Sequence, residues 1–355
     1  MKTEQIFFVG TYRQSGPYVP EAKGKGLLSC SLHLETGEIR QEHICDKPLN
    51  STYLAKDGKG HLFAAGDNFE DFGEVHVFSI KEDGSLMPIA AQTTFGTSSC
   101  HVACDTEGKR IFVSSYANGI LSQHIFNGFS FSPEPEVLEY RGSGPNAERQ
   151  EAAHIHQAEV SPNGRWLYAC DLGSDKIWVH DLHDRQGNLK VKKGISVPAG
   201  SGPRHLVCHP QLPLVYVFCE LDASLLTYQS DSETGDLELI SQMSTLPEDF
   251  TGQPAGAAIR LHPSGRALYV SNRNHHSLTA FSLEGEGRPV LHSIFSIEGE
   301  EPRDFNIDPS GQWLLSANQN SSTIVPFRLD AQTGLPTGEQ GPKFDCGTPV
   351  CILFN

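Results

Sequence analysis

The sequence predicts an all-β fold, a seven-bladed β-propeller with four antiparallel strands per blade, formed as one domain by residues 1–355. A short apolar strand motif recurs along the chain, and its second residue is aromatic in six of seven copies. These second residues are Phe8, Phe63, Phe112, Tyr168, Tyr216, Tyr269 and Leu315, at spacings of 55, 49, 56, 48, 53 and 46 residues. No segment sustains the 3.6-residue hydrophobic periodicity of a core helix.

Each repeat has the same expected layout. A short apolar strand leads into a turn such as residues 161–164, 262–265 or 308–311, all of which contain Pro and Gly at fixed offsets. The strand with the aromatic residue follows, then an alternating strand such as residues 277–283, then a less regular fourth strand. Four strands in each of seven repeats predict the propeller.

The two ends of the sequence are expected to meet in one blade. The first motif corresponds to the second strand of a repeat, and residues 349–354 have the pattern of a first strand that lacks a repeat of its own. We expect this C-terminal strand to complete the N-terminal blade, which closes the ring and removes its sheet edges. An open solenoid, the alternative repeat architecture, would need capping repeats at its ends.

Composition limits the partners and the compartment. The net charge of −16 indicates neither a nucleic acid nor a membrane partner, since both require a basic surface. No run approaches the roughly 18 apolar residues of a membrane span, and the N-terminal apolar stretch is short for a secretory signal. The nine cysteines form no Cys-x-x-Cys pair, which indicates reduced thiols and a cytoplasmic location. The sequence carries no signal for an oligomeric state.

Two columns of the repeat are expected to line one mouth of the central channel, because the first strand of a blade starts where the second ends. The first column, five residues before the turn, is Thr52, Cys100, His156, Arg204, Ala257 and Arg303. The second column, four residues past the aromatic position, is Tyr12, Asp67, Tyr116, Leu172, Glu220, Arg273 and Gln319. These positions differ from blade to blade and gather ionisable groups, whereas the scaffold around them is repetitive and apolar.

The columns predict a site for a small anionic ligand. One arginine or glutamate at a strand end is ordinarily a solvated rim residue, but five ionisable groups at one mouth exceed what packing requires. They are His156, Arg204, Glu220, Arg273 and Arg303. A guanidinium group is a natural clamp for carboxylate or phosphate because its fork of N–H donors matches their oxygens.

Other polar residues fit a structural role equally well. His154 faces the same side as His156 but lies farther out, and Asp67 lies in a Gly-Asp-Asn loop that a turn would explain. Four further histidines occur in turns or loops, where a structural role explains them: His209, His262, His275 and His276. No His-Glu-x-x-His motif or spaced carboxylate pattern is present, so neither a metal nor another cofactor is expected.

The motifs resemble a known family. Ser201-Gly202-Pro203-Arg204-His205, His262-Pro263-Ser264-Gly265-Arg266, Ser271-Asn272-Arg273 and residues 302–311 are similar to segments of the seven-bladed propeller lactonases. That family includes the cycloisomerase-type 6-phosphogluconolactonases and the carboxymuconate lactonizing enzymes. The resemblance spans all seven repeats. It implies a catalytic set of His156, Arg204, Glu220 and Arg273, with Arg303, His154, Gln319 and Asp67 binding substrate.

The activity implied by the resemblance is hydrolysis of a sugar-acid lactone, with 6-phosphogluconolactone preferred, in carbohydrate metabolism. Hydrolysis needs an activated water and stabilisation of an oxyanion. Glu220 or His156 would be the general base, and Arg204 or Arg273 would stabilise the oxyanion. The same groups suit a lactonizing cycloisomerase, and a non-catalytic propeller that binds an acidic ligand is the third hypothesis.

Overall fold

The computed structural model describes residues 3–105, 107–183 and 188–355 of the chain. Within those ranges the chain forms β-strands joined by turns and loops, and no helix. None of its elements could span a membrane as a helix.

The first strands in chain order form the N-terminal half of the ring. They are β1 (Glu4–Thr11), β2 (Leu27–His33), β3 (Ile39–Cys45), β4 (Asn50–Lys56), β5 (His61–Asp67), β6 (Glu74–Ile80), β7 (Leu86–Thr93), β8 (Ser99–Cys104), β9 (Arg110–Ser115), β10 (Ile120–Ile125), β11 (Glu136–Glu139), β12 (Ile155–Val160), β13 (Trp166–Asp171), β14 (Lys176–Asp181) and β15 (Val191–Ser196).

The second half continues with the same strand order. Its strands are β16 (Pro203–Cys208), β17 (Leu214–Cys219), β18 (Ser224–Ser230), β19 (Leu237–Ser244), β20 (Gly256–Leu261), β21 (Ala267–Asn272), β22 (Ser277–Glu284), β23 (Arg288–Ser296), β24 (Pro302–Ile307), β25 (Trp313–Asn318), β26 (Thr323–Leu329), β27 (Pro336–Gln340), β28 (Phe344–Asp345) and β29 (Pro349–Phe354).

These strands form seven antiparallel sheets in the described residues, each containing a run of four paired strands. Six sheets are continuous in sequence, namely β4–β7, β8–β11, β12–β15, β16–β19, β20–β23 and β24–β27, with β28 added beside β26 in the last. The remaining sheet has the order β29-β1-β2-β3, in which Phe8 pairs with Leu353 and Gly10 with Cys351. The seven-bladed propeller and its closure by the C-terminal strand are therefore confirmed.

The core lies between neighbouring blades and contains the aromatic residues of the repeat. Phe8, Phe63, Phe112, Tyr168, Tyr216 and Tyr269 are all at most 2% exposed. The hydroxyl of Tyr216 donates to the carbonyl oxygen of Gly287 in the next blade at 2.5 Å, so this tyrosine is both packed and anchored. Burial of a large side chain in each repeat stabilises the ring through its blade-to-blade contacts.

The predicted turns between first and second strands are present. The N–H groups of Gly164, Gly265 and Gly311 donate to Ser161, His262 and Asp308 at 2.8 Å, and each glycine has a positive φ near 70°. Glycine adopts this conformation without strain. All nine cysteines are free, as the sequence indicated.

Candidate active site

Every innermost strand carries a β-bulge near its start, and the first column of the repeat occupies these bulges. In β12, Ile155 pairs with Asp171 and Gln157 pairs with Cys170, so His156 has no cross-strand partner. The same shift skips Thr52, Cys100, Arg204, Arg303, Val350 and the pair Ala257 and Ala258. A bulge bends the strand and re-aims its extra side chain. The bulges thus re-aim one residue in six of the blades, and two in the blade of β20, at the end of the ring where the second column also lies.

The second column is tied to the first by backbone hydrogen bonds. The N–H of Glu220 donates to the carbonyl oxygen of Gly202 at 2.8 Å, two residues before the bulged Arg204. The same bond recurs as Tyr12 to Thr348, Tyr116 to Ser98, Leu172 to His154, Arg273 to Ala255 and Gln319 to Glu301. These bonds hold both columns at the same end of the ring.

A cavity, partly open to solvent, lies where the columns converge. Its lining consists of Tyr12, Tyr18, Asp67, Ser98, Ser99, Cys100, Tyr116, Arg149, His156, Glu220, Arg273 and Arg303. Eight of these residues belong to the two columns. A larger cleft lies where the same inner strands end, but there the guanidinium of Arg260 is already paired with Asp304 at 2.9 Å.

Glu220 is the centre of the charged cluster, and its side chain is only 4% exposed. Its Oε1 lies 2.5 Å from Nη2 of Arg149. Its Oε2 lies 2.9 Å from Nη2 of Arg273 and 3.0 Å from Nε of Arg204. Burial by itself would raise the pKa of this carboxyl group, but the three guanidinium groups outweigh burial and hold it well below its ordinary value. Glu220 is therefore a carboxylate at neutral pH, with both oxygens engaged.

Arg149 is the main site residue that the sequence analysis missed. It lies in the link between β11 and β12, outside both columns, and its Nη2 also donates to the hydroxyl of Tyr116 at 3.3 Å. The available signal was the interval of 56 residues between Phe112 and Tyr168, the longest in the chain, which leaves room for an extended link. Tyr18, on a loop after β1, also lies outside both columns, and the sequence analysis missed it for that reason.

His156 is buried, and it lies between Tyr116 and His205, with ring centroids 5.8 Å and 5.1 Å away. Its Nδ1 has no hydrogen-bond partner within the ranges that the structure describes. Burial, reinforced by the positive charge of Arg204, lowers the pKa of His156 well below its ordinary value. The imidazole, which lines the cavity, is therefore neutral at neutral pH.

Arg204 and Arg273 each have a buried Nε without an aligned hydrogen-bond acceptor in the part of the chain described. The Nε of Arg204 is close to Glu220, but its N–H does not point at the carboxylate, so the contact is electrostatic. Burial, followed by repulsion from Arg273, lowers the pKa of Arg204 to about 9, which leaves it cationic at neutral pH. Both guanidinium groups are held in place by Glu220, at 3.0 Å for Arg204 and 2.9 Å for Arg273.

Arg303 is the remaining arginine of the cavity. Its Nη1 donates to Oε1 of Gln319 at 3.4 Å, and among the described residues it forms no ion pair with a carboxylate. Gln319 itself does not line the cavity, so the structure places it behind Arg303, where it orients the guanidinium.

Two other predicted residues have clear positions. His154 is stacked on the far side of Tyr116, with ring centroids 4.3 Å apart, and it does not line the cavity. Asp67 does line the cavity, and its Oδ1 also accepts the N–H of Phe69 at 3.2 Å, so it has the turn role as well. Burial raises the pKa of Asp67. Within the described ranges, no group of His, Cys, Asp and Glu residues is arranged to hold a metal ion.

Comparison with known proteins identifies the family to which the chain belongs. Residues 6–354 match the family described as lactonase, 7-bladed beta-propeller. The chain belongs to this family. It is therefore a lactone hydrolase by class, as the resemblance of its motifs implied.

Similar proteins cover the chain from end to end. A 6-phosphogluconolactonase of Bacillus subtilis is 31% identical over 99% of this chain and 99% of its own. The structure of a putative 6-phosphogluconolactonase from Bacteroides fragilis has a TM-score of 0.87 at 27% identity, covering 99% of this chain and 98% of that one. The periplasmic gluconolactonase of Pseudomonas aeruginosa has a TM-score of 0.88 at 25% identity, covering 99% of both chains.

Proposed function

We propose that this lactonase hydrolyses a phosphorylated sugar-acid lactone in the cavity at the channel mouth, with 6-phosphogluconolactone as the preferred substrate. The observation that carries the proposal is the arginine cluster. The cavity is lined by the guanidinium groups of Arg149, Arg273 and Arg303. Its lining contains two carboxyl groups, those of Asp67 and Glu220, so the lining carries one surplus positive charge. This surplus occurs in a chain with a net charge of −16.

Phosphate recognition is assigned to Arg303. Its guanidinium lines the cavity, is held by Gln319 and has no carboxylate partner in the described structure, so its charge is available to a ligand. Like charges held close repel each other, which makes an arginine cluster costly unless an anion visits it. A phosphate would accept two parallel N–H bonds from this guanidinium. A neutral lactone offers no such group.

His156 is assigned as the general base. In hydrolysis a water oxygen attacks the lactone carbonyl carbon, the ring C–O bond breaks, and the ring oxygen leaves with a proton as the sugar hydroxyl. The neutral imidazole of His156, which lines the cavity, is able to accept the proton of that water. Glu220 is the poorer base, because three guanidinium groups stabilise its ionised form.

Arg273 is assigned to the oxyanion that develops on the carbonyl oxygen. It lines the cavity and is fixed there by its ion pair with Glu220 at 2.9 Å, so a preformed positive group is present where charge appears. Arg204 lies beneath it and contacts Glu220 rather than the cavity. Arg204 therefore supports the cluster from below.

A pH-stat assay with fresh aldonolactones, with and without a phosphate, tests the proposal. Because a charge-assisted hydrogen bond contributes about 1.5–3 kcal/mol, we expect kcat/KM to favour the phosphorylated lactone by about 10- to 100-fold. Arg303→Ala should remove most of this preference. The matched control is Arg266→Ala, an exposed arginine in the turn before β21.

Two outcomes would contradict the proposal. Equal turnover of neutral and phosphorylated lactones would make the arginines structural. Faster turnover of a carboxylated, phosphate-free lactone would support the lactonizing-enzyme alternative.

A further inference from the structure

The link between β11 and β12, residues 140–154, is longer than the link between any other two successive blades. Its conformation is fixed by its own hydrogen bonds. The side chain of Asn146 accepts the N–H groups of Glu148 and Arg149 at 3.1 and 3.2 Å, and the N–H of Gln150 donates to the carbonyl oxygen of Asn146 at 2.7 Å. The fully buried Gln150 side chain donates to the carbonyl oxygen of Leu172 at 2.9 Å. The backbone of Arg149 is therefore held firmly at the rim of the cavity.

The side chain of Arg149 is much more accessible than those of the other arginines bound to Glu220. It is 43% exposed, compared with 3% for Arg204 and 13% for Arg273. It alone contacts Oε1 of Glu220, while the two buried arginines contact Oε2. Departure of this one guanidinium would free one carboxylate oxygen and leave the buried pair intact.

We propose that Arg149 exchanges partners when substrate binds: its guanidinium leaves Oε1 of Glu220 and joins Arg303 at the phosphate of the lactone. The freed Oε1 then accepts a hydrogen bond from the attacking water and orients it towards the lactone carbonyl, while His156 accepts its proton. Arg149 is thus a specificity-determining residue of the reaction. This inference rests on the proposed function.

The exchange is favourable because the two partners differ in charge and exposure. Arg149 is 43% exposed, so solvent screens part of its attraction to Glu220, and Glu220 keeps its two buried arginine partners when Arg149 leaves. A phosphate dianion carries more charge than a carboxylate and matches the guanidinium fork. Tyr116, whose hydroxyl accepts from Arg149 at 3.3 Å, lines the same cavity, so the guanidinium reaches the ligand space by a side-chain rotation alone.

A neutral lactone cannot displace Arg149, so Oε1 of Glu220 stays occupied and turnover is slow. Phosphate recognition should therefore raise kcat as well as lower KM. The dianion should also act when it is not attached to the lactone. This consequence separates partner exchange from simple substrate binding, which changes KM alone.

The test supplies the two parts of the substrate separately. Hydrolysis of gluconolactone by the full-length protein is followed in a pH-stat with increasing inorganic phosphite, after subtraction of the enzyme-free rate. We expect phosphite to raise kcat of the wild type at least about tenfold. Arg149→Ala should hydrolyse gluconolactone several-fold faster than wild type without phosphite, because its Glu220 is permanently free, and phosphite should no longer activate it. Arg141→Ala, an exposed arginine of the same link, should behave as wild type.

A merely structural Arg149 gives a different pattern. If Arg149→Ala loses turnover of gluconolactone as well as of the phosphorylated lactone, the inference is wrong. Equal activation of the wild type and Arg149→Ala by phosphite would also overturn it. Simple inhibition of the wild type by phosphite would overturn it as well.

Failure of the proposed function has its own signature. If the wild type hydrolyses no lactone, the proposed function fails and the exchange at Arg149 falls with it as a catalytic step. Calorimetric titration with inorganic phosphate then shows whether Arg149 contacts an anion. If Arg149→Ala binds phosphate about tenfold or more weakly than wild type, and Arg149→Lys recovers part of that affinity, Arg149 contacts the anion. Equal phosphate affinities in wild type and Arg149→Ala would show that it does not.

Discussion

Replacing Glu220 with glutamine should destabilise the protein far more than an ordinary surface change. The substitution removes the carboxylate that Arg149, Arg204 and Arg273 share at 2.5 to 3.0 Å. Arg204 and Arg273, whose side chains are 3% and 13% exposed, remain adjacent, now without their shared counter-charge. Breaking a buried ion pair by removing one partner costs about 3–5 kcal/mol, because the remaining charge stays buried. We expect a loss of this size in the free energy of unfolding.

Urea denaturation at pH 7.5 and low salt measures the effect in Glu220→Gln. Glu286→Gln, which changes an exposed glutamate between β22 and β23, is the matched control and should stay within about 0.5 kcal/mol of wild type. Inorganic phosphate should stabilise Glu220→Gln more than wild type, since an anion replaces the missing carboxylate. At one hundred times its dissociation constant, a ligand contributes about 2.7 kcal/mol.

A second substitution identifies the cause of the loss. Arg204→Met removes one of the stranded charges and should recover a substantial part of the stability of Glu220→Gln, although in the wild-type background it is destabilising. Such non-additivity is typical of groups in direct contact. Strictly additive effects of the two substitutions, or a Glu220→Gln protein as stable as wild type, would refute the view that Glu220 assembles the arginines.

Three further predictions follow from the same geometry. His156→Ala should lower kcat by about 100-fold or more with little change in KM, as measured with the preferred lactone in the pH-stat. Because burial lowers the pKa of His101, His156 and His205 well below 6.5, the unfolded chain binds more protons than the folded one below pH 6.5. Stability should therefore fall as the pH drops from 6.5, by up to about 1.4 kcal/mol per pH unit for each histidine, and a urea midpoint that is constant between pH 7.5 and 5.5 would contradict this. Exhaustive dialysis against EDTA should leave turnover unchanged, and activity that is lost and then restored by Ca²⁺ would show that a metal is required.

The repeat made both the fold and much of the cavity lining predictable. Its register located the two columns, since a position at a constant offset from the aromatic residue occupies the same place in every blade. The bulges at Thr52, His156 and their counterparts were not anticipated, yet each bulged residue stands at the same offset and therefore fell into one column. Local hydrophobic pattern and turn residues carried this information.

Residues outside the register could not be found in this way. Arg149 and Tyr18 lie on links whose lengths differ between blades, and their positions depend on contacts distant in sequence, such as Arg149 with Glu220. The choice between Glu220 and His156 as base was also beyond the sequence. That choice depends on which guanidinium groups surround each side chain, and therefore on distances that only the folded chain defines.

The propeller fold explains why one arginine bound to Glu220 comes from a link between blades and the other two come from the blades. Each blade offers one bulged position and one position after its second strand, and in the blade β12–β15 the latter is Leu172, which is fully buried and apolar. The link that precedes this blade compensates: Gln150 binds the carbonyl oxygen of Leu172, and its neighbour Arg149 extends over the cavity. Leu172, the apolar residue of the second column in this blade, thus anchors the link that carries the positive charge of Arg149. Arg149, carried by the loop, is 43% exposed, whereas Arg204 and Arg273, which lie within or directly after strands, are 3% and 13% exposed. Of the three arginines bound to Glu220, Arg149 is therefore the one that is accessible enough to change partners.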